Sequence, residues 1–179
     1  MWTKEKIDSF MAGYGFKPQN TKSEVKELPN ILHPDEELHG LLNGFLKQGK
    51  NNDSLGVLIA TNKRIIFYRK SIIGTVTKEE IPIRMITSSM YRKGLMTSAV
   101  AIITANNETV VDCFDKKETE RFSEIVNKLV SEHHNTIKNN AQPKQAQLSN
   151  LEQLEKLFEL KQKGIITEEE FNQQKLKLL

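Results

Sequence analysis

The chain has a single cysteine, Cys113, in 179 residues. One thiol excludes an internal disulfide framework and favours a reducing compartment. Long apolar runs are missing as well. Leu55 to Ala60 is about the longest, far short of the roughly 20 residues that cross a bilayer. The opening MWTKEKIDSFMAGYGF mixes charge through its first turns and offers no h-region for a secretory leader. These absences lead us to expect a soluble, cytoplasmic protein. Catalytic signatures are also scarce. His33, His39, His133 and His134 show no HExxH, no CxxC partner and no paired ligand spacing, so no metal is expected. There is no Gly-x-Ser-x-Gly elbow, and Cys113, beside Phe114, reads as a small core residue. Gly44 to Lys50 scans as most of a phosphate-binding loop, yet Asn51 stands where magnesium chemistry needs Ser or Thr. We expect neither an enzyme nor a cofactor.

What the chain does have is short, regular elements. Lys4 to about Ala12 reads as a helix carrying Ile7, Phe10 and Met11, with Gly13 and Gly15 ending it. KPQNTKSEVKELPN reads as loop, which makes residues 1–30 a helix and a tether. From Ile31 the pattern changes. HPDEE suggests one helical turn, and a series of short segments rich in Ile, Val, Thr, Tyr and Phe follows, from ELHGLLNGFLKQG to ETVVDCF. Their bounding Gly, Asn, Asp and Ser mark consecutive antiparallel strands. Asn62-Lys63 and Asn106-Asn107 suit tight turns because Asn tolerates positive φ. Pro82 should break a ladder, with a strand resuming near Ile83. Asp115 to Glu118 reads as a capping box before a helix on which Phe122, Ile125, Val126, Leu129 and Val130 share one face. That helix, Lys116 to Glu132, should close the open side of the sheet. Residues 135–148 form a polar linker.

The last segment, residues 149–179, spells two short helices around a bend. Ser149 with Glu152, and Thr167 with Glu170, form capping boxes. Gly164 stands where a left-handed residue ends a helix. Leu151, Leu154, Leu157 and Phe158 stripe the first helix, and Phe171 and Leu178, with Leu176 beside them, the second; Ile165 and Ile166 stand at the bend. A segment this small cannot fold firmly alone, so its stripe needs a partner.

Two resemblances follow from these residues. GIITEEEF, Gly164 to Phe171, followed by Lys175 and Leu178-Leu179, resembles the SHOCT (short C-terminal) domain of bacterial and phage proteins. That resemblance implies an oligomerisation role and a bacterial or prophage origin. GVLIATNKRIIFY, Gly56 to Tyr68, with the preceding acidic turn, resembles the bacterial pleckstrin-homology (PH) domains of the YokE-like kind. It covers residues 31–134 and implies an α+β fold, a bent antiparallel sheet or open barrel capped by a C-terminal helix. No phosphoinositide site is implied.

Charge is uneven along the chain. Ten bases face three acids between Leu38 and Asn107, while residues 28–37 hold three acids and no base. Lys63, Arg64, Arg69, Lys70, Arg92 and Lys93, near turns or strand ends, are the candidate positions for an anionic ligand. The leading expectation is a non-enzymatic protein that self-associates or docks on a protein partner. Leu151, Leu154, Leu157, Phe158, Ile165, Ile166 and Phe171 would make that contact. The second reading is a peripheral binder of anionic membrane lipid or nucleic acid through the basic face of the sheet.

Overall fold

The computed structural model describes residues 1–47, 53–141 and 150–178. It divides into two compact units, residues 1–135 and 136–179. In the first, helices α1 (Lys4–Tyr14) and α2 (Lys22–Ile31) precede seven strands: β1 (Leu38–Lys47), β2 (Asp53–Thr61), β3 (Arg64–Lys70), β4 (Val76–Pro82), β5 (Ile86–Lys93), β6 (Ser98–Thr104) and β7 (Glu108–Cys113). Helix α3 (Lys116–Ala141) begins in this unit. The strands form one antiparallel sheet in the order β4-β3-β2-β1-β7-β6-β5, the α+β arrangement the sequence implies.

The sheet bends where β1 meets β7. β1 pairs with β2 from Leu38–Thr61 to Lys47–Asp53, but with β7 only through Phe45–Asp112 and Leu46–Val111. Gly44 makes the crossing possible. A Cβ there would lie 2.4 Å from Val111 Cγ1 and 2.9 Å from Cys113 Sγ, well inside van der Waals contact. Gly44 to Lys47, the start of the phosphate-loop-like run, are therefore strand. The rest of that run, residues 48–50, lies outside the described residues.

Two cores flank the sheet. Inside the bend, Leu42, Leu58, Ile65, Phe67, Val100 and Val111 pack against Phe122, Val126, Leu129 and Val130 of α3. On the other face Leu41, Val57, Ile59, Ile66 and Tyr68 pack against Ile7, Phe16, Val25, Leu28 and Ile31. β1, β2 and β3 are thus covered on both faces, which is why LLNGFL, GVLIA and RIIFY are so continuously apolar.

Several expectations are corrected. The segment read as loop contains α2, and residues 1–30 are a packed layer, not a tether. Val25, Leu28 and Ile31 recur at helical spacing and find the outer face of the sheet, so packing stabilises a helix that its polar composition hides. Asn43 Nδ2 donates to Lys17 O at 2.8 Å, and Trp2 Nε1 to Glu36 O at 3.1 Å, fixing the layer to β1 and to the turn before it. His33 to Glu36 form a turn without a helix. Pro82 is the last residue of β4, paired with Arg64; a single 3-10 turn, Ile83–Met85, separates it from β5.

The turn chemistry differs too. Asn20 is the one non-glycine with positive φ among the described residues; the turns at Asn62 and Asn107 rest on threonine hydroxyls instead. Thr61 Oγ1 accepts from the Lys63 and Arg64 amides at 3.2 and 3.0 Å. Thr104 Oγ1 donates to Asn107 O at 3.0 Å and accepts its amide at 3.1 Å. α3 also runs to Ala141, past the expected linker start at 135; of that linker, residues 142–148 lie outside the described residues.

Helix α3 closes the β5 edge with one side chain. The Ser89 amide donates to Asn127 Oδ1 at 2.7 Å, and Asn127 Nδ2 donates to Ser89 O at 2.8 Å. A side-chain amide thus stands in for the next strand. Asn127→Ala should cost about 1–3 kcal/mol, because it strands a nearly buried amide and carbonyl, and a urea midpoint shift at unchanged slope checks this.

Candidate functional site

The second unit contains α4 (Asn150–Gln162) and α5 (Glu168–Leu178). α4 ends in a left-handed glycine, Gly164 at φ +68°. The Ile165 amide donates to Leu160 O and the Gly164 amide to Lys161 O, both at 3.0 Å; together these satisfy carbonyls at the end of α4. Thr167 begins α5 with the expected reciprocal box: its amide donates to Glu170 Oε2 at 2.9 Å, and the Glu170 amide to Thr167 Oγ1 at 3.2 Å. The box expected at Ser149 lies outside the described residues.

The bend brings Phe158 and Phe171 edge to face, ring centroids 6.3 Å apart. Lys161 Nζ sits 5.2 Å from the Phe171 ring and 2.5 Å from Glu168 Oε1. Leu154, Leu157, Ile166 and Phe171 are half-buried, while Phe158 and Ile165 remain 50% and 65% exposed. Leu151 falls within α4, its side chain outside the described set. The sequence reading missed Leu160, half-buried, and left Leu176, 79% exposed, out of the contact set. Leu160 follows Leu157 by three, a spacing that could have marked it. Two helices folded on each other therefore leave much of their apolar stripe in water.

The six basic positions do not converge. Lys63 and Arg64 sit at the β2–β3 turn, Arg69 and Lys70 at the other end of β3, and Arg92 and Lys93 at the end of β5. Most face an acid. Lys63 pairs with Asp35, and Arg92 with Glu108. Lys70 Nζ lies 2.6 Å from Glu27 Oε1, and its amide donates to Glu24 Oε1 at 2.9 Å. Hydrogen bonds from Lys70 and Asn30 hold Glu27 below the usual carboxylate range, and one from Lys63 does the same for Asp35.

Arg64 is the most occupied. Its Nε donates to Glu36 Oε1 at 2.7 Å, Nη2 to Glu36 Oε2 at 3.0 Å and to Ile31 O at 3.0 Å, and Nη1 to Glu80 Oε2 at 2.5 Å. With its side chain 12% exposed, it is a built-in link between the acidic turn, β3 and β4. Arg69 and Lys93 have no acidic partner among the described residues.

Burial pushes the Cys113 thiol up to about 12, leaving it protonated at neutral pH. No group of three His, Cys, Asp or Glu side chains gathers among the described residues to hold a metal. No helix among them is long and apolar enough to cross a membrane.

A family model described as "Bacterial PH domain" matches residues 32–128, and one described as "Short C-terminal domain" matches residues 152–179. No curated protein matches the chain. Among solved structures, it is similar to the C-terminal domain of an unknown protein from Leishmania infantum, at 18% identity and TM-score 0.45, over 59% of this chain and 93% of that one. It is similar to a pleckstrin homology domain from Shewanella amazonensis, at 18% identity and TM-score 0.43, over 69% and 97%. A DUF1696 family protein with a pleckstrin-homology domain from Shewanella loihica matches at 18% identity and TM-score 0.38, over 64% and 92%.

Proposed function

Because the chain belongs to the bacterial PH domain family and carries a SHOCT module behind that domain, we propose that it is a non-enzymatic interaction protein of the cytoplasm whose terminal hairpin joins it to a second copy. One observation carries this reading: none of the described hairpin side chains reaches full burial, and Phe158, Ile165 and Leu176 stay at least half exposed. The backbone of the hairpin is nonetheless fully specified by its glycine terminus and its capping box. A well-defined two-helix shape with an uncovered stripe matches what helical association needs. Fully burying an exposed Leu, Ile or Phe side chain is worth about 1.5–3 kcal/mol, so several such residues from each copy together work against the cost of association.

The test is solution mass. The full chain should weigh a multiple of its 20.5 kDa by light scattering, and Phe158→Glu with Leu176→Glu should return it to the monomer. Leu176 is 79% exposed, whereas the half-exposed Phe158 also meets the Phe171 ring, so circular dichroism has to show that the variant keeps its helices before its mass is read. A monomer mass for the unaltered chain at high concentration rejects self-association.

A further inference from the structure

Two hairpin tips of the first unit hold bulky aliphatic pairs in water. At the β3–β4 tip Ile72 and Ile73 are 107% and 90% exposed; at the β5–β6 tip Leu95 and Met96 are 94% and 85% exposed. Neither turn is loose. The Ser71 amide donates to Thr75 O at 2.8 Å and the Thr75 amide to Ser71 Oγ at 2.9 Å, while the Gly94 amide donates to Thr97 O at 2.9 Å. Bonded backbone therefore holds these side chains outward.

The two tips belong to one rim. Ile72 and Ile73 line a surface cleft with Phe45 and Arg69. Phe45 packs edge-on against Phe114, centroids 5.6 Å apart, and Phe114 is itself 65% exposed. Two residues further on, Lys116 Nζ donates to Leu95 O at 2.7 Å, which places the β5–β6 tip beside Phe114.

Charge along this rim is mixed: several acids hold a base, Glu24, Asp115 and Glu118 line the clefts along it, and four bases lack an acidic partner among the described residues. Asp112, Glu27 and Glu108 are taken by Lys47, Lys70 and Arg92. Asp115 accepts the Lys117 and Glu118 amides, Glu24 accepts the Lys70 amide and the Ser23 hydroxyl, and burial with the neighbouring Asp115 raises the Glu118 carboxyl. Among the described residues, Arg69, Lys93 and Lys117 have no acidic partner, and Lys116 meets only a carbonyl.

We propose that this rim docks on an anionic lipid surface. The aliphatic tips enter the headgroup layer, and Arg69, Lys93, Lys116 and Lys117 face lipid phosphates. The shape favours lipid over protein: two protruding tips would require two matching recesses in a folded partner, whereas a fluid interface receives both. This differs from binding through the face of the sheet, where Lys63, Arg64, Lys70 and Arg92 already hold acids. It does not depend on the terminal hairpin.

Vesicle flotation of the full chain tests it, using phosphatidylcholine alone and phosphatidylcholine mixed with phosphatidylglycerol. The chain should float with the mixed vesicles and not the neutral ones, and binding should fall as salt rises. Ile72→Glu with Ile73→Glu should weaken binding by at least about tenfold, and Arg69→Glu with Lys93→Glu by a similar factor. The isoleucines make no core contact, and circular dichroism confirms that their variant folds. No flotation at low salt overturns the proposal, as does undiminished binding by the Ile72/Ile73 variant. Retention by a duplex oligonucleotide in place of vesicles overturns it in favour of nucleic acid.

Discussion

Arg64→Ala should lower stability by about 3–5 kcal/mol, read as a fall in the urea midpoint. The cost does not come from a lost surface attraction. Glu36 is a buried carboxylate, 4% exposed, held by two Arg64 nitrogens and by the His33 amide at 2.8 Å. Removing the guanidinium leaves that carboxylate desolvated and short of its cation, and also frees Ile31 O and one oxygen of Glu80. Replacing both partners, Arg64→Met with Glu36→Gln, should cost less than Arg64→Ala alone, because no unpaired charge then stays behind. Equal losses in the two variants would show that Arg64 matters only for its packing.

The same pair sets an acid limit. Burial alone would raise the Glu36 carboxyl, but the Arg64 hydrogen bonds, the His33 amide and the attraction of Arg64 outweigh it and hold Glu36 below the usual range. A carboxyl lowered in the folded state contributes stability above its unfolded value, near pH 4.3, and loses it as pH falls through the folded one. The unaltered protein and Arg64→Ala should therefore converge in stability as the pH drops below about 4. A gap that stays constant into acid would place the effect elsewhere.

Phe122→Ala should cost a further class of energy, about 3–5 kcal/mol of cavity. Phe122 is fully buried at the first contact of α3 with the sheet. It packs so closely on β1 that a Cβ on Gly40 would come within 3.2 Å of its ring. Gly40 and Phe122 are complementary, the glycine leaving room for the ring. Phe122→Leu should lose roughly 1–2 kcal/mol, since most of the volume is kept. A loss under about 1 kcal/mol for the alanine variant would mean that α3 collapses onto the sheet without its ring.

Local patterns were the legible part of this chain. The face of α3 was readable because its five apolar residues recur at 3.6-residue spacing, and four of them are buried in the core, Ile125 partly. The bend of the terminal hairpin was readable because Gly164, Thr167 and Glu170 act on neighbours within a few residues. α2 was not, because its three buried apolar residues lie among charges and a proline, and only the outer face of the sheet selects them. Charge misled for a related reason. Arg64 stands 28 residues from Glu36 and 16 from Glu80, and no reading of sequence neighbours reveals such pairing. The exposed tips went unremarked since Ile72-Ile73 and Leu95-Met96 look like ordinary apolar pairs until a turn is seen to hold them in water.

The layer formed by α1 and α2 carries one more consequence. Sequence families draw this module from residue 32 onward, yet Leu41, Val57, Ile59 and Ile66 point at a wall built from the residues before it. Where a family ends and where a hydrophobic surface ends are separate questions. In this molecule the inherited module is an unfinished sandwich, and the stretch outside its border supplies the missing slice.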